Sequence, residues 1–188
     1  MDSVGFVCMA DGTAEDYAFL ARHEEEFAQG LPGRIVDALE KLEHSIGGYQ
    51  VSRLEHSLQS ATRALNDGRD TDYVVAALVH DIGDELAPFS HSEMVAAILR
   101  PYVDNRIYWI IKHHGIFQMY YYAHHLGEDR NARDRFRDHP WFDDCAEFCE
   151  KYDQNCFDPA YPSKPLSFFV PMIEEVFGRA PSVSEADV

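Results

Sequence analysis

The sequence predicts a compact all-α bundle. Three observations carry that expectation. Apolar residues recur at three- and four-residue spacing along most of the chain, alternating strand-like patterns of useful length are hard to find, and the helical stretches are separated by breaks bearing glycine or proline. The length of 188 residues fits one domain, or one domain with a short appendage. With 46% hydrophobic and 13% aromatic residues there is ample material for a buried core.

The elements follow in order. Residues 14–28 read as a charged amphipathic helix, and Gly30-Leu31-Pro32-Gly33 breaks the pattern after it. Ile35, Leu39, Leu42 and Ile46 mark a second helix, stopped by Gly47-Gly48. Leu54, Leu58, Ala61 and Leu65 lie on one face of a third, which ends near Asn66-Asp67-Gly68. The apolar run that starts after Asp72 reads as a buried helix closed by Gly83. Helices at 91–101 and 104–114 come next, the first ended near Pro101 and the second before Gly115. An aromatic stretch at 116–126 and a charged segment at 127–138 precede a helix from Pro140 to Tyr152. The segment 155–165 holds three prolines and reads as a loop, and a last helix covers 166–178. The expected division is a helical extension at 1–45 packed on the core, a metal-binding core at 46–179, and a disordered acidic tail at 180–188.

The net charge is −17, with 16 Lys and Arg against 33 Asp and Glu. That balance argues against binding a nucleic-acid backbone or an anionic membrane. It suits a cationic ligand or several bound metal cations. No apolar run approaches the ~20 residues of a membrane helix. The N-terminus lacks the basic region of a signal peptide, so a soluble cytoplasmic protein is expected. Cys8, Cys145, Cys149 and Cys156 include no CxxC pair and read as reduced thiols.

The ten histidines matter more by placement than by number. His80-Asp81 closes an apolar helix, preceded on another helix by His56 and followed by His91, His114 and Asp153. Each falls on a separate helix or helix end, so a bundle can converge them on one point. Imidazole nitrogen with carboxylate oxygen suits iron, manganese, cobalt or zinc, and a His-Asp pair can serve two neighbouring ions with the carboxylate bridging. Six such ligands exceed the needs of one four-coordinate zinc and suggest two metals, ~3.5–4 Å apart. His113 competes with His114, but adjacent helical side chains diverge by about 100°, so both are not expected at one metal. His44, His124, His125 and His139 read as structural or surface residues. Arg130, Arg133, Arg135 and Arg137 read as a solvated mixed-charge face.

His56, His80-Asp81-Ile82-Gly83 and Asp153 resemble the signature of the HD-domain superfamily, an all-helical metal-binding fold, over residues 46–175. The added His91 and His114 match its two-metal branch, which contains phosphohydrolases and diiron oxygenases. Three features resemble the oxygenases. His113-His114 is followed by Gly115-Ile116-Phe117 rather than by the Gly-Tyr-Pro element of the cyclic-dinucleotide phosphodiesterases. Asp84 stands where hydrolase members often carry lysine. Leu54-Glu55-His56-Ser57-Leu58-Gln59 is very similar to the first-histidine helix of the oxygenases that cleave 2-amino-1-hydroxyethylphosphonate, and the layout around His113-His114 is similar to that of myo-inositol oxygenases.

The resemblance implies one iron held by His56, His80, Asp81 and Asp153, with Asp81 bridging to a second iron held by His91 and His114. It also implies a mixed-valent Fe(II)/Fe(III) pair with O2 as co-substrate. Where the aminophosphonate-cleaving relatives place a carboxylate for a primary ammonium, this sequence has Tyr49. An aromatic face there suits a quaternary ammonium, which has no N–H to donate. Phe117, Tyr120, Tyr121, Tyr122, Trp141 and Phe168 are further candidates for an aromatic cage. The expected substrate is a 1-hydroxy-2-(trimethylammonio)ethylphosphonate cleaved to glycine betaine and phosphate, with a hydroxylase acting upstream. Asp84 and Gln118 replace a histidine and a lysine of those relatives and are candidate substrate contacts. Arg53, Lys151 and Lys164 are candidates for the phosphonate end. The alternative reading is an HD-type phosphohydrolase acting on a nucleotide or phosphoester.

Overall fold

The computed structural model describes residues 2–182. Among these the secondary structure is entirely helical, with eight α-helices joined by turns and short 3-10 segments. They are α1 (Ala14–Gln29), α2 (Leu31–Lys41), α3 (Arg53–Asn66), α4 (Thr71–Val79), α5 (His91–Leu99), α6 (Asn105–Tyr122), α7 (Phe142–Tyr152) and α8 (Leu166–Phe177).

The bundle is built around α4, where every residue from Tyr73 to Val79 is buried. A helix apolar on all sides can only be satisfied by neighbours on all sides, and α4 packs on α3, α6 and α8. α6 packs in turn on α5 and α7. Thus α3, the end of α4, α5, α6 and the end of α7 surround one point. Side-chain caps from Ser52, Asp70 and Asp104 accept backbone N–H bonds and fix where α3, α4 and α6 begin. α2 places Ile35 and Leu39 in the same core. α1 starts at a Thr13–Asp16 capping box, lies against α2 and buries no residue.

The structure corrects the sequence reading in several places. The break at Gly30–Gly33 is confined to Gly30, which ends α1, and α2 begins at Leu31 with Pro32 in its first turn, where its missing N–H costs nothing. The helix expected to end at Gly83 stops at Val79, and residues 80–86 form turns that let the His80 side chain fold back onto Ala77. α6 does not halt at Gly115 but runs on to Tyr122. Gly115 serves close packing instead, because a Cβ there would lie 2.8 Å from Ser92 Oγ. Of the expected tail, residues 183–188 lie outside the described residues, and Ser182 hydrogen-bonds the Pro101 carbonyl through its N–H and Oγ.

Candidate metal centre

Asp81 occupies the meeting point of the helices, and its two oxygens face two groups of donors. Oδ2 lies 3.2 Å from both His56 Nε2 and His80 Nε2, and Asp153 Oδ1 stands 3.5 Å from His56 Nε2 and 3.8 Å from His80 Nε2. Oδ1 lies 3.5 Å from His91 Nε2 and 3.6 Å from His114 Nε2. The structure therefore brings all six candidate ligands together, in groupings spaced closely enough to hold metal ions. His56, His80, Asp81, His114 and Asp153 are buried and His91 is half-buried.

The imidazole orientations are set from behind. His56 Nδ1 donates to the Cys156 carbonyl at 3.0 Å, His80 Nδ1 to that of Ala77 at 2.7 Å, and His114 Nδ1 to that of Ile111 at 2.7 Å. A carbonyl can only accept, so in each neutral ring the proton is on Nδ1 and the lone pair on Nε2 points inward. His56 and His80 then face each other Nε2 to Nε2 at 3.1 Å, and His91 faces His114 at 3.2 Å. Opposed lone pairs at that distance repel unless a cation lies among them. The donor set, its tautomers and its two-ended carboxylate fit a pair of metal ions.

Electrostatics give the same account for the metal-free site. Burial by itself would push the His80 imidazolium down, but Asp81 and Asp153 outweigh it and raise its pKa to about 10. Burial likewise opposes the Asp81 charge, yet His80 and Arg53 hold that carboxyl well below its usual range. His91 is shifted down by burial and by the neighbouring His114. A metal ion bound there would replace the proton that these facing groups otherwise share.

His113 points away from the cluster. Its Nδ1 donates to the Trp109 carbonyl, and its ring packs against Trp109 and Phe136. Gly83 seats His91: a Cβ there would lie 2.9 Å from the His91 backbone, whereas one on Gly115 would be in ordinary contact with the His91 ring at 3.9 Å.

A cavity of about 480 Å³ opens onto the cluster, reaching Asp81, His91, His114 and Asp153. Tyr49, Asp84 and Gln118 line it, together with Tyr121, Tyr122, Arg53 and Phe157. Arg53 is the one lysine or arginine among the lining residues; it contacts the Asp81 carboxylate, and its Nε donates to Asp84 Oδ2 at 3.0 Å. Asp84 Oδ1 also stands 3.5 Å from His91 Nδ1. Gln118 Nε2 donates to Asp153 Oδ1 at 3.0 Å, which leaves its buried Oε1 without a partner among the described residues.

Four of the cage candidates fall elsewhere. Phe117 is core, Trp141 packs against Trp109 and His139, Tyr120 meets Arg130 and Arg133, and Phe168 lies near Lys164. Neither Lys151 nor Lys164 lines the cavity, and Lys151 pairs with Glu147.

The residue missed by sequence reasoning is Phe157. Its ring stacks on Tyr49 on one side, at 4.7 Å and 24°, and on His56 on the other, at 4.4 Å and 24°. Phe157 stands in the proline-bearing loop, where no periodicity points to it. Its nearness to Asp153 in the chain was the one signal available.

No helix among the described residues is long and apolar enough to cross a membrane. None of the curated proteins matches the chain. Residues 53–140, which include every cluster residue except Asp153, match the HD domain family, and this match, on an all-helical frame with a buried His/Asp cluster, supports a metal-dependent enzyme of the HD superfamily.

Proposed function

We propose that the chain is a non-haem diiron oxygenase that cleaves the C–P bond of a 1-hydroxy-2-(trimethylammonio)ethylphosphonate-type substrate with O2, giving glycine betaine and phosphate. The observation that carries this reading is the make-up of the cavity. Asp81, His91, His114 and Asp153 line it together with the aromatic rings of Tyr49, Phe157, Tyr121 and Tyr122.

His56, His80, Asp81 and Asp153 would hold one iron, and Asp81, His91 and His114 the other. An iron pair would supply the dioxygen and electron-transfer chemistry that side chains lack. The residues of the chain do the selecting. The aromatic rings take the trimethylammonium group by cation–π contact, worth about 0.5–2 kcal/mol per well-placed ring. Arg53 offers the guanidinium for the phosphonate end. Gln118 Oε1 accepts from the substrate hydroxyl, while its Nε2 holds Asp153 in place. In the overall reaction the carbinol C–H and the C–P bond break, both atoms of O2 are consumed, one into carboxylate and one into phosphate, and one proton is released. The −17 charge draws the cationic end inward. A hydroxylase that installs the carbinol is the reaction required upstream.

The test is phosphate release from this phosphonate by iron-loaded protein, with O2 uptake recorded in parallel. Equimolar O2 consumption and phosphate are expected. Phosphate formed under strict anaerobiosis would overturn this reading, and metal-dependent turnover of a nucleotide or phosphoester without O2 would establish the second, an HD-type phosphohydrolase.

A further inference from the structure

We propose that Arg130 and Arg133, set against Tyr120, form a second anion site that takes a tetrahedral dianion, phosphate or a phosphonate group, outside the metal cavity. The inference does not rest on the oxygenase reading.

Both guanidiniums stand over one ring, with Cζ 4.2 Å from the Tyr120 centroid for Arg130 and 3.7 Å for Arg133. Two cations this close to one centroid are at most about 8 Å apart, and like charges at that separation repel. In a chain of net charge −17, carboxylates would be expected to relieve that repulsion, yet neither arginine forms an ion pair or a hydrogen bond among the described residues. The acids beside them are engaged elsewhere: Asp129 Oδ1 accepts the Asn131 N–H at 2.8 Å, and Asp134 Oδ1 accepts from Arg137 at 2.7 Å.

The Nε atoms of Arg130 and Arg133 are both buried and without partners among the described residues. Buried donors are seldom left unpaired. Stacking on Tyr120 attracts each cation to the ring face but satisfies no N–H. A dianion with several acceptor oxygens satisfies the Nε–H edges and cancels the repulsion together, and guanidinium forks are suited to such groups.

The site is separate from the metal centre. Tyr121 and Tyr122 line the metal cavity, whereas Tyr120 does not. The two arginines belong to the 127–138 segment, whose short 3-10 helix Ala132–Phe136 packs on α6, the helix that carries His114.

The experiment follows the arginine Nε–Hε signals of the full chain by 1H–15N NMR, with zinc as the diamagnetic metal, while inorganic phosphate or methylphosphonate is added. Arg130→Lys and Arg133→Lys assign the two signals. Saturable shifts of both are expected. A tighter response to phosphate would mark the free ion as the ligand, and a tighter response to methylphosphonate an organic phosphonate. Arg133→Gln should weaken binding read at the Arg130 signal by about tenfold, with metal content unchanged. Signals that do not move, or that move equally with sodium chloride at matched ionic strength, overturn the proposal. If the glutamine variant fails to fold, the wild-type shifts decide alone.

Discussion

The two ends of the Asp81 carboxylate stand in different surroundings. Around Oδ2, the His56, His80 and Asp153 side chains are 1%, 0% and 5% exposed, and both histidines are braced by backbone carbonyls. Around Oδ1, His91 is 24% exposed, faces the cavity, and has the Asp84 carboxylate rather than a carbonyl beside its Nδ1. The first end is buried, with Asp153 alone reaching the cavity, and the second pairs buried His114 with half-buried His91 on the cavity wall. Donor groups of similar chemistry are thus divided between holding the fold around a metal and exposing a metal to ligands.

Removing the shared carboxylate should break both ends. Asp81→Ala is expected to lower metal content from about two per chain to well under one, and to reduce turnover about a thousandfold. Elemental analysis and steady-state rates check it. A smaller effect separates the ends. His91→Ala should retain about one metal per chain with little change in thermal midpoint, whereas His80→Ala should lose the buried metal and melt lower. Equal metal loss in the two variants would erase the distinction.

Substrate selection gives the next largest change. Tyr49→Ala should weaken binding of the trimethylammonium substrate by about tenfold while affecting its primary-amine analogue less. Equal losses would refute an aromatic cage.

The remaining effect is a pH dependence of the metal-free protein. The His80 pKa is raised from 6.5 to about 10. Its contribution to stability is therefore complete below 6.5 and is lost as pH rises through 10. In chelator, the thermal midpoint should fall over that interval, and bound metal should flatten the fall. Calorimetry across the range, with and without metal, reads the difference.

Much of this arrangement was legible in the sequence. The spacing of Leu54, Leu58, Ala61 and Leu65 defined the face of α3, and His80-Asp81 stood out because a buried apolar helix has no other use for such a pair. What was not legible depends on contacts between distant segments. Gly115 read as a stop signal because a sequence does not show that Ser92 presses against it. Phe157 read as loop because its partners, Tyr49 and His56, are about a hundred residues away. Arg130 and Arg133 read as solvated because the ring beneath them comes from another element.

The packing of His91 against Gly83 has a consequence for the cavity end of Asp81. At Gly83 the space for one methyl group separates the present donor position from a displaced one, and the displacement would fall on the cavity end of Asp81 alone. Gly83→Ala is therefore expected to displace His91 without replacing any of the six candidate ligands.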